Sequence, residues 1–216
     1  MDAADRRTES RKKKQYPYFL NSMNDSLLKL NVLIKKEADE LLFEKGLFSI
    51  LRSSGTPHIS GSYVLDLMTW RDLDIYLEVD NIPETDFFVL GGKICSVFQP
   101  VKMSFRNELI AKTKGLPAGL YWGIYLANER AGAWKIDIWA VNNLECQRLV
   151  NYCADIKQKL TPATVVQILD IKSQCWKDPE YRRSYTSTDI YDAVLEKKVS
   201  DIEDFKNYLK TFKVTG

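Results

Sequence analysis

The run from Asp72 to Asp80 constrains this chain more than any other stretch. Leu73, Ile75, Leu77 and Val79 are apolar, and Asp72, Asp74, Tyr76 and Glu78 alternate with them. A period of two is that of a half-buried strand, so the apolar row faces a core and Asp72 and Asp74 share the opposite face. Two carboxylates side by side on a rigid strand repel each other, and a positive partner has to offset them. That partner is either a divalent cation or a base, and Arg71 at the strand entrance is the plainest base.

A second alternating run lies far downstream. In Trp134-Lys-Ile-Asp-Ile-Trp139 the two isoleucines flank Asp137, so Lys135, Asp137 and Trp139 fall on one face. If the two strands are sheet neighbours, three acids converge. Upstream, Thr56 to Ser60 reads as a strand, Gly61-Ser62 as a small-residue turn, and Tyr63 to Met68 as a helical turn or two. A strand, a tight turn and a helix start offer free backbone N–H groups and close approach, which suits a phosphate.

Gly-Ser, nine residues, Asp-apolar-Asp-apolar and a later apolar-Asp-apolar resemble the nucleotidyltransferase superfamily of DNA polymerase beta. The resemblance covers roughly residues 47 to 143, and by layout and size it is nearest to small bacterial antibiotic-type enzymes such as lincosamide nucleotidyltransferases. Many members carry Gly where this chain has Asp66 and Ser where it has Arg71, so the turn between cradle and acids departs from the pattern. The resemblance implies transfer of a nucleoside monophosphate from an NTP, with ATP the expected donor, to an acceptor hydroxyl. It implies that Asp72, Asp74 and Asp137 are catalytic and ligate two Mg²⁺ ions, and that Gly61 and Ser62 hold the β- and γ-phosphates. Lys135 and Arg106, with Lys102, are the basic side chains expected to face the triphosphate, each being equally readable as a surface charge. The acceptor is open: a small molecule such as an antibiotic, a nucleic acid or a protein. The alternative function is a non-catalytic binding or antitoxin-like regulatory module of the same fold.

The expected class is α+β: a mixed nucleotidyltransferase-type sheet of about five strands, packed helices and a C-terminal helical extension. Residues 16–143 are expected to form the catalytic domain and 144–216 the helical region, with 1–15 a basic, disordered start. That start carries Arg6, Arg7, Arg11, Lys12, Lys13 and Lys14, with no aromatic residue between them to stack on bases. Tyr16 to Leu20 is an apolar anchor. From Asp25 to Lys45, Leu27, Leu30, Ile34, Ala38 and Leu41 recur at helical spacing, and Gly46 is a stop. Further on, Asp86 to Phe98 reads as a helix weakened by Gly91 and Gly92, Val101 to Arg106 and Leu120 to Leu126 as strands, and Asn128 to Gly132 as a hairpin loop. After Val141 the period turns helical. Asn143 is the expected cap of a helix to Lys159, Thr161-Pro162 opens the next, Tyr181 to Tyr185 is a polar break, and Ser200 to Glu203 is a capping box.

Composition narrows the class. Thirty-one basic and 29 acidic side chains leave a net charge of +2, which is no signature of a dedicated nucleic-acid binder. Cys95, Cys146, Cys153 and Cys175 form no Cys-x-x-Cys pair and read as reduced thiols of a cytoplasmic protein. The N-terminus lacks an apolar leader pattern and no run approaches the ~18 apolar residues of a membrane span, so neither secretion nor insertion is expected. The lone histidine, His58, lies near the cradle and reads as a packed or surface residue, or as a phosphate donor. Tyr121, Tyr125 and Trp139 read either as packing or as a wall for a base. Oligomeric state is not legible.

Overall fold

The computed structural model describes residues 24–213, with side chains through Thr211. The basic start, the Tyr16 to Leu20 anchor and the last three residues lie outside the described residues. Helix α1 occupies 24–39, and its last turn widens into a π-helical turn, Glu40–Glu44. Gly46 then stops it at φ 78°, where a residue without Cβ is at ease. There follow α2 (Leu47–Arg52), β1 (Thr56–Ser60), α3 (Gly61–Leu65), β2 (Asp72–Glu78), α4 (Glu84–Phe98), β3 (Lys102–Asn107), α5 (Glu108–Ala111), β4 (Gly119–Tyr125) and β5 (Lys135–Val141). Four helices complete the described chain: α6 (Asn143–Lys159), α7 (Pro162–Cys175), α8 (Ser187–Lys197) and α9 (Ile202–Lys213).

The five strands form one mixed sheet in the order β1-β2-β5-β4-β3. Only β2 and β5 run parallel; the other neighbours are antiparallel. The α+β class with a mixed sheet and packed helices is therefore the observed one. Leu73, Ile75 and Leu77 of β2 and Ile136 and Ile138 of β5 are buried in one cluster with Ile34 and Ala38 of α1, Leu47 and Leu51 of α2, and Phe87, Leu90 and Ile94 of α4. The alternation seen in sequence thus divides the sheet into a helix-covered face and an acid-bearing face. A second cluster joins Leu65, Leu67 and Trp70 to Ile168, Leu169 and Ile171 of α7 and to Ile190 and Val194 of α8. Among the described residues no helix is long and apolar enough to cross a membrane.

Several boundaries move by a residue or two for local reasons. The cap of α6 is Asn142, whose side chain accepts from the Glu145 N–H, and not Asn143. At α9 the cap is Asp201, accepting from Glu203 and Asp204 at 3.0 Å each, while Ser200 Oγ donates to Asp204. Thr161 and Thr164 cap α7 reciprocally ahead of Pro162, as the sequence suggests. The Tyr181 to Tyr185 segment is no mere polar break, since both tyrosines are buried and bridge to each other.

Gly91 and Gly92 do not interrupt α4, and their surroundings differ. A Cβ on Gly91 would meet the Trp122 ring at 2.9 Å, and that indole is pinned by its Nε1–H donating to the Phe87 carbonyl at 3.0 Å. Gly92 meets nothing within 4 Å. Gly92→Ala should therefore gain about 1 kcal/mol of helix propensity and raise the melting temperature by ~2–4 °C. Gly91→Ala should lower it, because displacing a packed ring costs about 1–3 kcal/mol against the same gain. Thermal unfolding of the two variants, opposite in sign, checks this reading.

Candidate active site

The parallel register of β2 and β5 sets Asp72 beside Lys135 and Asp74 beside Asp137. One oxygen from each of Asp72, Asp74 and Asp137 lies within 4.8 Å of the others. The three acids singled out in sequence are thus brought together, on strands whose opposite face is locked into the core. The positive partner is Lys135, not Arg71. The buried Lys135 ammonium bonds to Asp137 Oδ2 and lies 3.7 Å from Asp72 Oδ1. Arg71 turns the other way and grips Glu37 through two nitrogens, at 2.5 and 2.6 Å.

Charge crowding sets the protonation of the cluster. Burial, then the charges of Asp72 and Asp137, push the Asp74 carboxyl up to about 8. Burial also raises Asp72, with Lys135 opposing and Asp137 adding to the rise. Burial alone would lower Lys135, but Asp72 and Asp137 outweigh it and hold the ammonium above the usual lysine range. Tyr121 donates to Asp137 Oδ1 at 2.7 Å, and its hydroxyl is raised by burial and by that carboxylate. The Tyr121 ring reaches Asp137 by lying over Gly123, where a side chain would overlap it.

A divalent cation fits these residues. All three donors are hard carboxylate oxygens, the set that Mg²⁺ takes together with water and phosphate. Asp72 Oδ1 is buried and has no hydrogen-bond partner, which leaves it available to an ion.

The cradle is built as tightly as the acids. Gly61 opens α3 at φ 60°, and a Cβ there would overlap Asp74 Oδ2, so position 61 admits glycine on two counts. Ser62 points to the helical side, where its Oγ accepts from Lys172 Nζ at 2.7 Å. Arg106 stands on the acid-bearing face but on edge strand β3, two strands from β5, and pairs with Glu108 at 3.0 Å. Lys102 lies over the Tyr125 ring. Tyr121 and Trp139 pack on each other and with Cys146 beneath α6, so they do not stand free as a wall. His58 faces Glu78, at the end of β2 away from the acids.

Lys172 was not among the residues expected here. It is buried on α7 and donates to Ser62 Oγ, to the Leu67 carbonyl at 2.7 Å and to the Tyr191 hydroxyl at 3.2 Å. A signal existed: Ile168, Lys172 and Cys175 fall on one helical face, which places a lysine at a core position. Arg182 is a second such residue. At φ 69° it lays its guanidinium over Trp70 and 3.7 Å from Glu129, and its charge acts on Asp72. Arg130 holds this loop by donating to the carbonyls of Trp176, Asp178 and Tyr181.

No family model and no curated protein sequence matches the chain. In fold it is similar to a solved structure of a mutant of the Cid1 poly(U) polymerase bound to MgATP, with a TM-score of 0.53 and 13% sequence identity. The match covers 84% of this chain and 55% of that one, so the chain spans about half the polymerase's length. At that identity the likeness shows the fold, which is of nucleotidyltransferase type.

Two outcomes follow from the charges. Because Asp74 is held up to about 8 against roughly 3.9 in an unfolded chain, the folded state binds its proton more tightly. The stability it contributes is present below about pH 4 and is lost as the pH rises towards about 8. In metal-free protein Asp74→Asn should flatten that decline and raise the melting temperature at pH 8. Addition of Mg²⁺ should raise it in wild type only. An unchanged pH slope in the variant would remove Asp74 as its source. Lys172→Met leaves the buried Leu67 carbonyl without its donor and the Ser62 and Tyr191 hydroxyls with only each other, 3.4 Å apart, and unfolding by urea should show a loss of about 2 kcal/mol.

Proposed function

We propose that the chain is a Mg²⁺-dependent nucleotidyltransferase that moves a nucleoside monophosphate from an NTP, with ATP the expected donor, to an acceptor hydroxyl. The observation that carries this is the register that sets Asp74 beside Asp137 and gathers three carboxylates within 4.8 Å. The fold likeness to a polymerase bound to MgATP supports it. Membership of the polymerase-beta-like superfamily is part of the same proposal.

In this reading Asp72, Asp74 and Asp137 would hold two Mg²⁺ ions, with Asp137 serving the acceptor side. Bound metal supplies positive charge for the transferring phosphate and lowers the pKa of the acceptor hydroxyl. The protein's own groups do the rest. Tyr121 donates to Asp137 Oδ1 at 2.7 Å and Lys135 donates to Oδ2, so the two together fix the orientation of the Asp137 carboxylate. Lys135, kept cationic by Asp72 and Asp137, would offer its ammonium to a phosphate oxygen bound beside these acids. Gly61 lets the β- and γ-phosphates approach the backbone, with Ser62 and Lys172 behind it. Arg106 sits where it can reach the substrate only from the β3 edge. The small-molecule acceptor of the antibiotic-type enzymes is the reading proposed here, on the near-balanced charge of the chain, and a cytoplasmic setting goes with the reduced cysteines.

Asp74→Asn keeps the shape and removes a charge. It should cut nucleotidyl transfer from radiolabelled NTP by at least about 10³-fold, the scale on which stabilising groups act, with an unchanged circular dichroism spectrum. Near-normal transfer by the folded variant would sink the assignment. Asp137→Ala should spare Mg-NTP binding in calorimetry more than it spares turnover; equal loss of both would argue against a role on the acceptor side.

A further inference from the structure

The acid-bearing face carries a second cluster of donors, of different chemistry, at the other end of β2. His58 is the chain's lone histidine. It lies on β1 opposite Tyr76, which puts it on the same face as Glu78 and one step along the strand. Its Nε2 is 2.8 Å from Glu78 Oε2. Cys146, in the first turns of α6, comes down on the pair, and one donor atom from each of the three residues lies within 4.8 Å of the others. Three elements thus deliver an imidazole, a carboxylate and a thiol to one point.

The surroundings are those of a ligand set. Asn143 Nδ2 donates to Glu78 Oε1 at 2.6 Å, which turns the carboxylate so that its other oxygen faces His58. Cys146 is buried at 1% exposure, closing the inner side, while the His58 and Glu78 side chains keep 33% and 27% of their surface and leave an entry from solvent. Nitrogen and sulfur donors with one carboxylate select a borderline ion, whereas the all-oxygen triad selects Mg²⁺. Glu78 is four residues beyond Asp74, about 13 Å along the strand, so the two sites are separate.

We propose that His58, Glu78 and Cys146 bind Zn²⁺, with the fourth position open to water, and that the ion ties α6 to the β1–β2 edge of the sheet. The ion takes the place of the proton between His58 Nε2 and Glu78, the neutral imidazole then carrying its proton on Nδ1, and the Cys146 thiol releases its proton to solvent as the Zn–S bond forms. The site is independent of the proposed transferase activity.

Cobalt substitution in the full chain tests this. Co²⁺ added to reduced protein should give, at one equivalent, a sulfur-to-metal charge-transfer band with tetrahedral d–d absorption, and Zn²⁺ should bleach both. Cys146→Ser should lose the charge-transfer band, and His58→Gln should lose the tetrahedral spectrum. Asn143→Ala should weaken Co²⁺ binding roughly tenfold or more, as loss of an orienting partner does. The double variant Asp72→Asn/Asp74→Asn should keep the spectrum unchanged. Absence of a charge-transfer band in folded wild type overturns the proposal. So does an unaltered band in Cys146→Ser, or loss of the band in the double aspartate variant. Should Cys146→Ser fail to fold, His58→Gln and Glu78→Gln, at partly exposed positions, decide it: an unchanged spectrum in both overturns the site.

Discussion

Mutual repulsion of three carboxylates on adjacent strands is the constraint around which this fold is arranged. The apolar halves of β2 and β5 insert between α1, α2 and α4, and that burial leaves Asp72, Asp74 and Asp137 no way to turn from one another. The protein answers with Lys135, which the same register that creates the problem places beside Asp72. One ammonium lies beside two of the three carboxylates, and Asp74 remains the acid pushed up to about 8. An isolated domain would gain stability from replacing such a cluster by apolar side chains. The cluster sits on strands whose other face is locked into the core, so the three carboxylates are held rigidly.

The cover over the acid-bearing face is tied down by cations at two points. Lys172 reaches from α7 into the turn between β1 and β2, where it joins Ser62 and the Leu67 carbonyl. Arg130, in the loop between β4 and β5, caps three carbonyls of the segment between α7 and α8. Each tie uses a long basic side chain to donate to several backbone or hydroxyl oxygens at once. Together they bring Arg182 over Trp70 beside the acids. The charges of Lys135, Arg182 and Lys172 thereby act on Asp72 from three elements and partly offset the crowding of the acids.

The strand acids were legible in the sequence because a period of two leaves one choice of face, and two runs with the same pattern are readily paired. The Gly61 turn was legible as a small-residue break between a strand and a helix start, while its closeness to Asp74 appears only in the structure. Strand partners of charged groups were not. Arg71 adjoins Asp72 in sequence, yet successive strand residues point to opposite faces, and its guanidinium finds Glu37 on α1. Arg106 sits on the expected face, but nothing in its own strand tells how many strands separate it from Asp137. Lys172 lay open to the helical period, in a position the core otherwise fills with Ile168 and Cys175; a lysine there is easily taken for an exposed residue with the phase slipped. Caps drifted by one residue at α6 and α9 because neighbouring Asn, Ser and Asp side chains compete for the same free N–H groups.

The two ends of β2 show how one strand can carry two chemistries. At its start the parallel partner β5 contributes a third acid, Asp137, together with Lys135, which partly offsets it. At its end the partners are antiparallel β1 and the incoming α6, which contribute a histidine and a cysteine to a single glutamate. Between them Tyr76, Trp139 and Val150 pack together and set the two polar groups apart. Separation of that kind matters for selectivity. An oxygen-only cluster and a mixed nitrogen–sulfur cluster on one continuous wet face would compete for the same ions, whereas a packed aromatic layer lets each donor set choose by its own softness.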